Sequence, residues 1–156
     1  MIDVEVEDPN WTTAVPETAA LARHAAEAAL NAVNASASSV VVLLTDDATV
    51  MGLNARFRSK ESATNVLSFP APPNREAHLG DIAIAFETCL RESQAQAKPL
   101  ADHLQHLTVH GVLHLLGHDH IGDDEADAME DLERIILAGL GVPDPYAAGD
   151  GDHDRP

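Results

Sequence analysis

Six of the nine histidines fall between positions 103 and 120. The densest stretch reads His110-Gly111-Val112-Leu113-His114-Leu115-Leu116-Gly117-His118-Asp119-His120. On a helix, residues four apart lie one turn apart on the same face, so His110 and His114 can aim both imidazoles at one point. Gly117 is free to take the left-handed conformation that ends a helix, and the chain can then swing His120 back to the same point as a third ligand. Three neutral imidazoles at about 2.0–2.1 Å leave one tetrahedral position open for water, which is the arrangement of a catalytic zinc rather than a structural one. His103 and His106 extend the stripe away from the glycine hinge, where supporting or plain surface roles are expected rather than ligation. His118 stands beyond the helix and is left out of the ligand set. The competing reading of the cluster is a row of core or solvated helical histidines.

The elements that must position these side chains follow from pattern. Ile2, Val4 and Val6 alternate with Asp3, Glu5 and Glu7, the period of a strand with one wet face near a sheet edge. Pro16 opens an Ala-rich helix to about Val33 with Leu21, Ala25, Ala28 and Ala32 on one face. Val40 to Leu44 is uniformly apolar and β-branched, a strand covered on both sides, and Thr45-Asp46 caps a helix to about Asn54. Residues 56–62 read as a basic loop leading into a strand over 64–69, and residues 80–85 return as another strand. A helix is expected over 87–97, another from Pro99 to Leu116 carrying the histidines, and a last one from Asp123 with Met129, Leu132, Ile136 and Leu140 in a stripe. The acidic residues from Asp123 to Asp127 complement the dipole at the start of that helix. The expectation is an α+β domain: a small mixed sheet of about four strands, helices packed on it, and the metal-site helix followed by a glycine hinge. Residues 1–146 form this single metal-hydrolase domain, and residues 147–156 read as a disordered acidic tail.

Composition narrows the function. The chain has 156 residues, 45% of them apolar, enough for one core. No apolar run is long enough to span a bilayer and the N-terminus carries no secretory signal, so a cytoplasmic protein with no membrane partner is expected. One cysteine, Cys89, can make neither an intrachain disulfide nor a thiolate cage, which leaves metal chemistry to histidine. Nine basic against 26 acidic residues give a net charge of −17. A broad electrostatic footprint for nucleic acid is thereby excluded, and any such contact must be local. The H-x3-H-x2-G-x2-H spacing is also that of three-histidine zinc proteases. These carry Glu directly after the first His, where this chain has Gly111, so peptide hydrolysis lacks its general base.

The histidine stretch resembles the H-G-x-L-H-L-x-G-x-D-H signature of the bacterial YbeY family of metal-dependent endoribonucleases. The resemblance extends to Leu53-Asn54 with Phe57-Arg58, to Thr64-Asn65-Val66-Leu67-Ser68-Phe69-Pro70 and to Gly80-Asp81-Ile82, covering about Leu43 to Tyr146. It implies one zinc ion per chain on His110, His114 and His120, and a functional role for Arg58. It implies work on the 3' end of small-subunit ribosomal RNA and in ribosome quality control, with rRNA, the ribosomal particle and ribosomal proteins as partners. His118 departs from the family, which often has Tyr there.

Cleaving a phosphodiester needs a nucleophile, a counter-charge for the phosphate oxygens and help for the leaving oxygen. Arg58 suits the counter-charge, since a guanidinium grips phosphate in a bidentate fork and stays charged. Arg58 and His114 are therefore assigned as catalytic. Arg56, Arg58 and Lys60 are three cations within five positions, either an RNA docking point or a solvated loop by charge alone; the resemblance favours docking. Ser68 and Thr64 either touch phosphate or satisfy strand-end backbone. Asp119 either orients a ligand imidazole or serves as base, and Asp81 either acts in the site or holds a turn. The function expected is a zinc-dependent single-strand endoribonuclease; the alternative is a non-catalytic ribosome assembly factor with a structural metal.

Overall fold

The computed structural model describes residues 1–58, 64–117 and 123–146, with only the backbone of residues 57–58 and 123–126. The expected tail over 147–156 lies outside the described residues. The elements run β1 (Ile2–Val6), α1 (Asn10–Ala14), α2 (Thr18–Ala32), β2 (Ser39–Thr45), α3 (Asp47–Arg58), β3 (Val66–Pro70), β4 (His78–Ala85), α4 (Phe86–Ala95), α5 (Leu100–Leu115) and α6 (Asp123–Gly139). The architecture is α+β, with one mixed four-stranded sheet ordered β1-β2-β4-β3. β1, β2 and β4 are parallel, and β3 runs antiparallel to β4.

Alternation along the inner strands divides the core in two. Val40, Val42, Leu44, Ile82 and Ile84 face the main core with residues of α2, α5 and α6. Ala83, Ala85 and Leu67 face the other way and enclose Val50 of α3. Thus α5 and α3 lie on opposite faces of the sheet. β1 occupies an edge, as its alternating pattern requires, and its exposed Asp3 and Glu5 keep that edge charged. β3 forms the other edge, where Pro70 at its end is tolerated because no ladder donor is needed there.

Local chemistry sets the helix ends. Asp46 accepts the Thr49 backbone N–H at 2.8 Å, a side-chain cap on α3, and hydrogen bonds from the Thr49 side chain and backbone hold its carboxyl below its usual pKa. Gly117 ends α5 at φ +94°, the left-handed stop that its sequence position suggested. Three expectations are corrected. Residues 56–58, read as a loop, complete the last turn of α3; Arg56 and Arg58 are sound helix formers with no breaker before them. The buried face of α2 is Ala22, Ala25, Ala26, Ala29 and Leu30 rather than the Leu21 stripe, because small side chains pattern weakly and packing chooses the face. The short helix α1 was not foreseen. It exists because Trp11 is wholly buried, its indole donating to the Thr45 carbonyl at 3.0 Å and meeting Phe86 edge-on at 5.1 Å.

α5 is the central helix, packed against α2, α4, α6, β3 and β4. Gly111 lets it approach the sheet closely. A Cβ there would stand 3.0 Å from the Ile82 side chain, which is fully buried. On β3, Ser68 pairs across the strands with Ile82 and donates its hydroxyl to the Gly111 carbonyl at 3.2 Å. Gly111→Ala should therefore destabilise the protein. Overpacking costs about 1–3 kcal/mol and outweighs the gain of about 1 kcal/mol in helix propensity. The urea unfolding midpoint should fall with an unchanged slope; an unchanged or higher midpoint would show that Ile82 moves aside.

Candidate metal centre

The α5 stripe flanking Gly111 carries the histidines. The Nε2 atoms of His110 and His114 stand 3.1 Å apart, converging as their spacing of four requires. Two nitrogens of one tetrahedral zinc, each about 2.0–2.1 Å from the ion, are separated by about 3.3 Å, so the pair fits one edge of such a site. His120 lies outside the described residues, as do His118, Asp119 and Lys60, so the described ligands are two.

Glu133 of α6 organises this pair. It is fully buried. Its Oε2 lies 2.6 Å from His110 Nδ1, and its Oε1 lies 3.3 Å from His106 Nε2 and accepts the Tyr146 hydroxyl. His106 Nε2 is also 3.2 Å from the Tyr146 oxygen, so its N–H is shared between the two. Burial alone would raise the Glu133 carboxyl, but hydrogen bonds from His106 and His110 outweigh it and hold the pKa down at about 2. An ionised carboxylate only accepts, so its contact with His110 calls for a hydrogen on Nδ1. Burial holds His106 below the ordinary imidazole value, although Glu133 pulls the other way. Burial and the neighbouring carboxylate push the Tyr146 phenol upward, keeping it a donor.

Glu133 and Tyr146 escaped the sequence reading. The signal for Glu133 was present: it stands four after Met129 and three before Ile136, and all three are buried, a carboxylate on an apolar stripe. His103 is not a surface residue. It is buried, with Nε2 2.7 Å from Glu92 Oε1, and Glu92 also accepts the Asn65 amide at 3.0 Å. Asp81 accepts from His78 Nε2 at 2.9 Å on the exposed side of β4. Ser68 bonds Gly111 under α5, as above. Arg56 is exposed on the last turn of α3. The Arg58 side chain lies outside what is described. Gly111 faces Ile82, so the position that holds the general base in zinc proteases is turned into the core, and a Glu there has no room.

Fold and site together define an α+β domain with a histidine cluster on its central helix, one imidazole set by a buried carboxylate. The family profile described as Endoribonuclease YbeY matches residues 3–141, and the chain belongs to that family. A relative named Endoribonuclease YbeY from Paracoccus denitrificans is 49% identical over 158 residues, covering 93% of this chain and 89% of the relative. One from Paramagnetospirillum magneticum is 48% identical, covering 93% and 94%. A solution structure of a Thermotoga maritima protein shares the fold with a TM-score of 0.58 at 18% identity over 100% of both chains. No helix among the described residues is long and apolar enough to cross a membrane.

The Glu92 bridge gives a pH prediction. Burial raises its carboxyl, but hydrogen bonds from His103 and Asn65 prevail and bring it below the ordinary 4.5. A depressed native value stabilises fully above the unfolded value and is lost as pH falls through the native one. Glu92→Gln should cost about 1 kcal/mol at pH 7, allowing for the partial exposure of the pair, and the gap should close below pH 4.5. Chemical unfolding of both proteins between pH 7 and 3 checks this; a gap that widens on acidification would reverse the assignment.

Proposed function

We propose that this chain is a cytoplasmic zinc-dependent single-strand endoribonuclease that matures the 3' end of small-subunit rRNA and acts in ribosome quality control. Family membership supports the coarser part, a nuclease acting on RNA phosphodiester bonds. The observation that carries the metal is the His110–His114 pair, Nε2 to Nε2 at 3.1 Å, with His110 set by Glu133. His110, His114 and His120 would hold one ion. When bound, zinc supplies a Lewis acid that brings the pKa of a coordinated water toward neutrality and polarises a phosphoryl oxygen. Arg58 takes the phosphate in a bidentate fork, and Arg56 and Lys60 attract the strand beside it. Ser68, through Gly111, ties α5 to β3.

Two experiments test this reading. Cleavage of single-stranded rRNA fragments should stop on chelation, return with zinc, and be lost in His114→Ala. Arg58→Lys should fall at least about tenfold, since an ammonium keeps the charge and loses the fork; full activity in that variant would remove Arg58 from the phosphate site. Metal uptake without cleavage would favour the non-catalytic assembly factor. Binding supplies the second test. With nine basic residues against 26 acidic ones, naked rRNA should bind weakly with a shallow salt slope, and the ribosomal particle more tightly. A steep salt slope on naked RNA would refute the need for a ribosomal partner.

A further inference from the structure

We propose that Glu133, buttressed by Tyr146, is the positioning residue that makes His110 a metal ligand, by accepting a hydrogen bond from its Nδ1–H and so committing Nε2 to the site. This rests on the metal reading above.

The position argues for more than stability. Between buried Met129 and Ile136, an apolar side chain would fill the same place without a charge to desolvate, and such replacements of buried ion pairs are often neutral or stabilising. What an apolar residue cannot do is choose a tautomer. With no acceptor at Nδ1, His110 can carry its hydrogen on Nε2, and the face toward His114 then offers N–H instead of a lone pair. The carboxylate is itself fixed on both oxygens: Oε2 by His110, Oε1 by His106 and Tyr146.

Tyr146 is in turn held in place by its neighbours. Its backbone N–H donates to Asp144 Oδ1 at 2.8 Å. Asp144 also pairs with Arg134 Nε at 3.1 Å, and that guanidinium lies 5.2 Å from the Tyr146 ring centroid. Arg134 follows Glu133 directly, so adjacent residues of α6 hold the phenol from its two ends: one accepts the hydrogen bond from its hydroxyl, the other covers the ring. The segment after α6 is thereby a strap whose tip completes the acceptor environment of His110.

The test uses the full chain and zinc ion alone, with affinity read by competition against a chromophoric chelator. Wild type should bind one ion and His114→Ala none. Glu133→Leu should bind about 10–100-fold more weakly, and Tyr146→Phe, which leaves the carboxylate but removes one donor, should lose less. Long-range proton–nitrogen NMR of the metal-free protein supplies a readout that a merely structural role would not move: His110 should carry hydrogen on Nδ1 in wild type and shift toward Nε2 in Glu133→Leu. Unchanged affinity in a folded Glu133→Leu, with binding lost in His114→Ala, overturns the role of Glu133 and leaves the metal centre standing. Absence of binding by wild type overturns the metal reading and this inference with it. Should Glu133→Leu fail to fold, an unchanged affinity in Tyr146→Phe together with an Nε2–H tautomer in wild type overturns the proposal.

Discussion

The burial of one negative charge governs the arrangement of the helices. Glu133 is ionised and wholly enclosed, and a buried carboxylate deprived of its partners costs about 3–5 kcal/mol. Its three donors come from two places in the chain, His106 and His110 on α5 and Tyr146 beyond α6. Sliding α6 by one residue would turn the carboxylate about 100° and shift it about 1.5 Å, leaving the charge unpaired. The register of α6 on α5 and the closure of the C-terminal strap are thus fixed by the same hydrogen bonds that orient His110. Stability and site geometry share one interaction, so neither can drift without the other.

A second constraint acts from the other side of α5. Gly111 and His110 are neighbours in sequence and lie about 100° apart around the helix. The glycine lets the backbone settle against Ile82 and receive the Ser68 hydroxyl. How deep α5 sits on the sheet therefore decides how far His110 and His114 stand from the strands. A larger residue at 111 would lift the helix and move both imidazoles relative to Glu133. The glycine that removes the protease base from the motif is also the one that seats the helix.

Much of this could be read from the sequence, and the gaps have physical causes. The histidine spacing, the edge character of β1 and the glycine stop at 117 are short-range signals, set by helix and strand periodicity and by one backbone conformation. The structure follows each of them. The face of α2 and the existence of α1 depend on what arrives from elsewhere: alanines commit weakly to a side, and Trp11 needs the Thr45 carbonyl and Phe86. Glu133 was passed over because a charged residue in a helix is ordinarily a solvated one. Its spacing from Met129 and Ile136 is what separates it from Asp131, exposed two residues earlier.

Part of the acidic charge of the chain is gathered at one edge of the sheet. Exposed Asp3, Glu5 and Glu7 line or adjoin β1 at one edge of the sheet, and β3 forms the opposite edge. Strands are spaced by about 4.8 Å, so three spacings separate the two edges by roughly 14 Å. The Debye length at physiological ionic strength is about 8 Å. The acidic edge is therefore largely screened from the β3 edge, on whose side Val50 and Leu53 of α3 pack against Leu67 and Ala83. The acidic strand also leaves the β1 edge unattractive to a further strand, so these carboxylates protect the one parallel edge that the sheet leaves open.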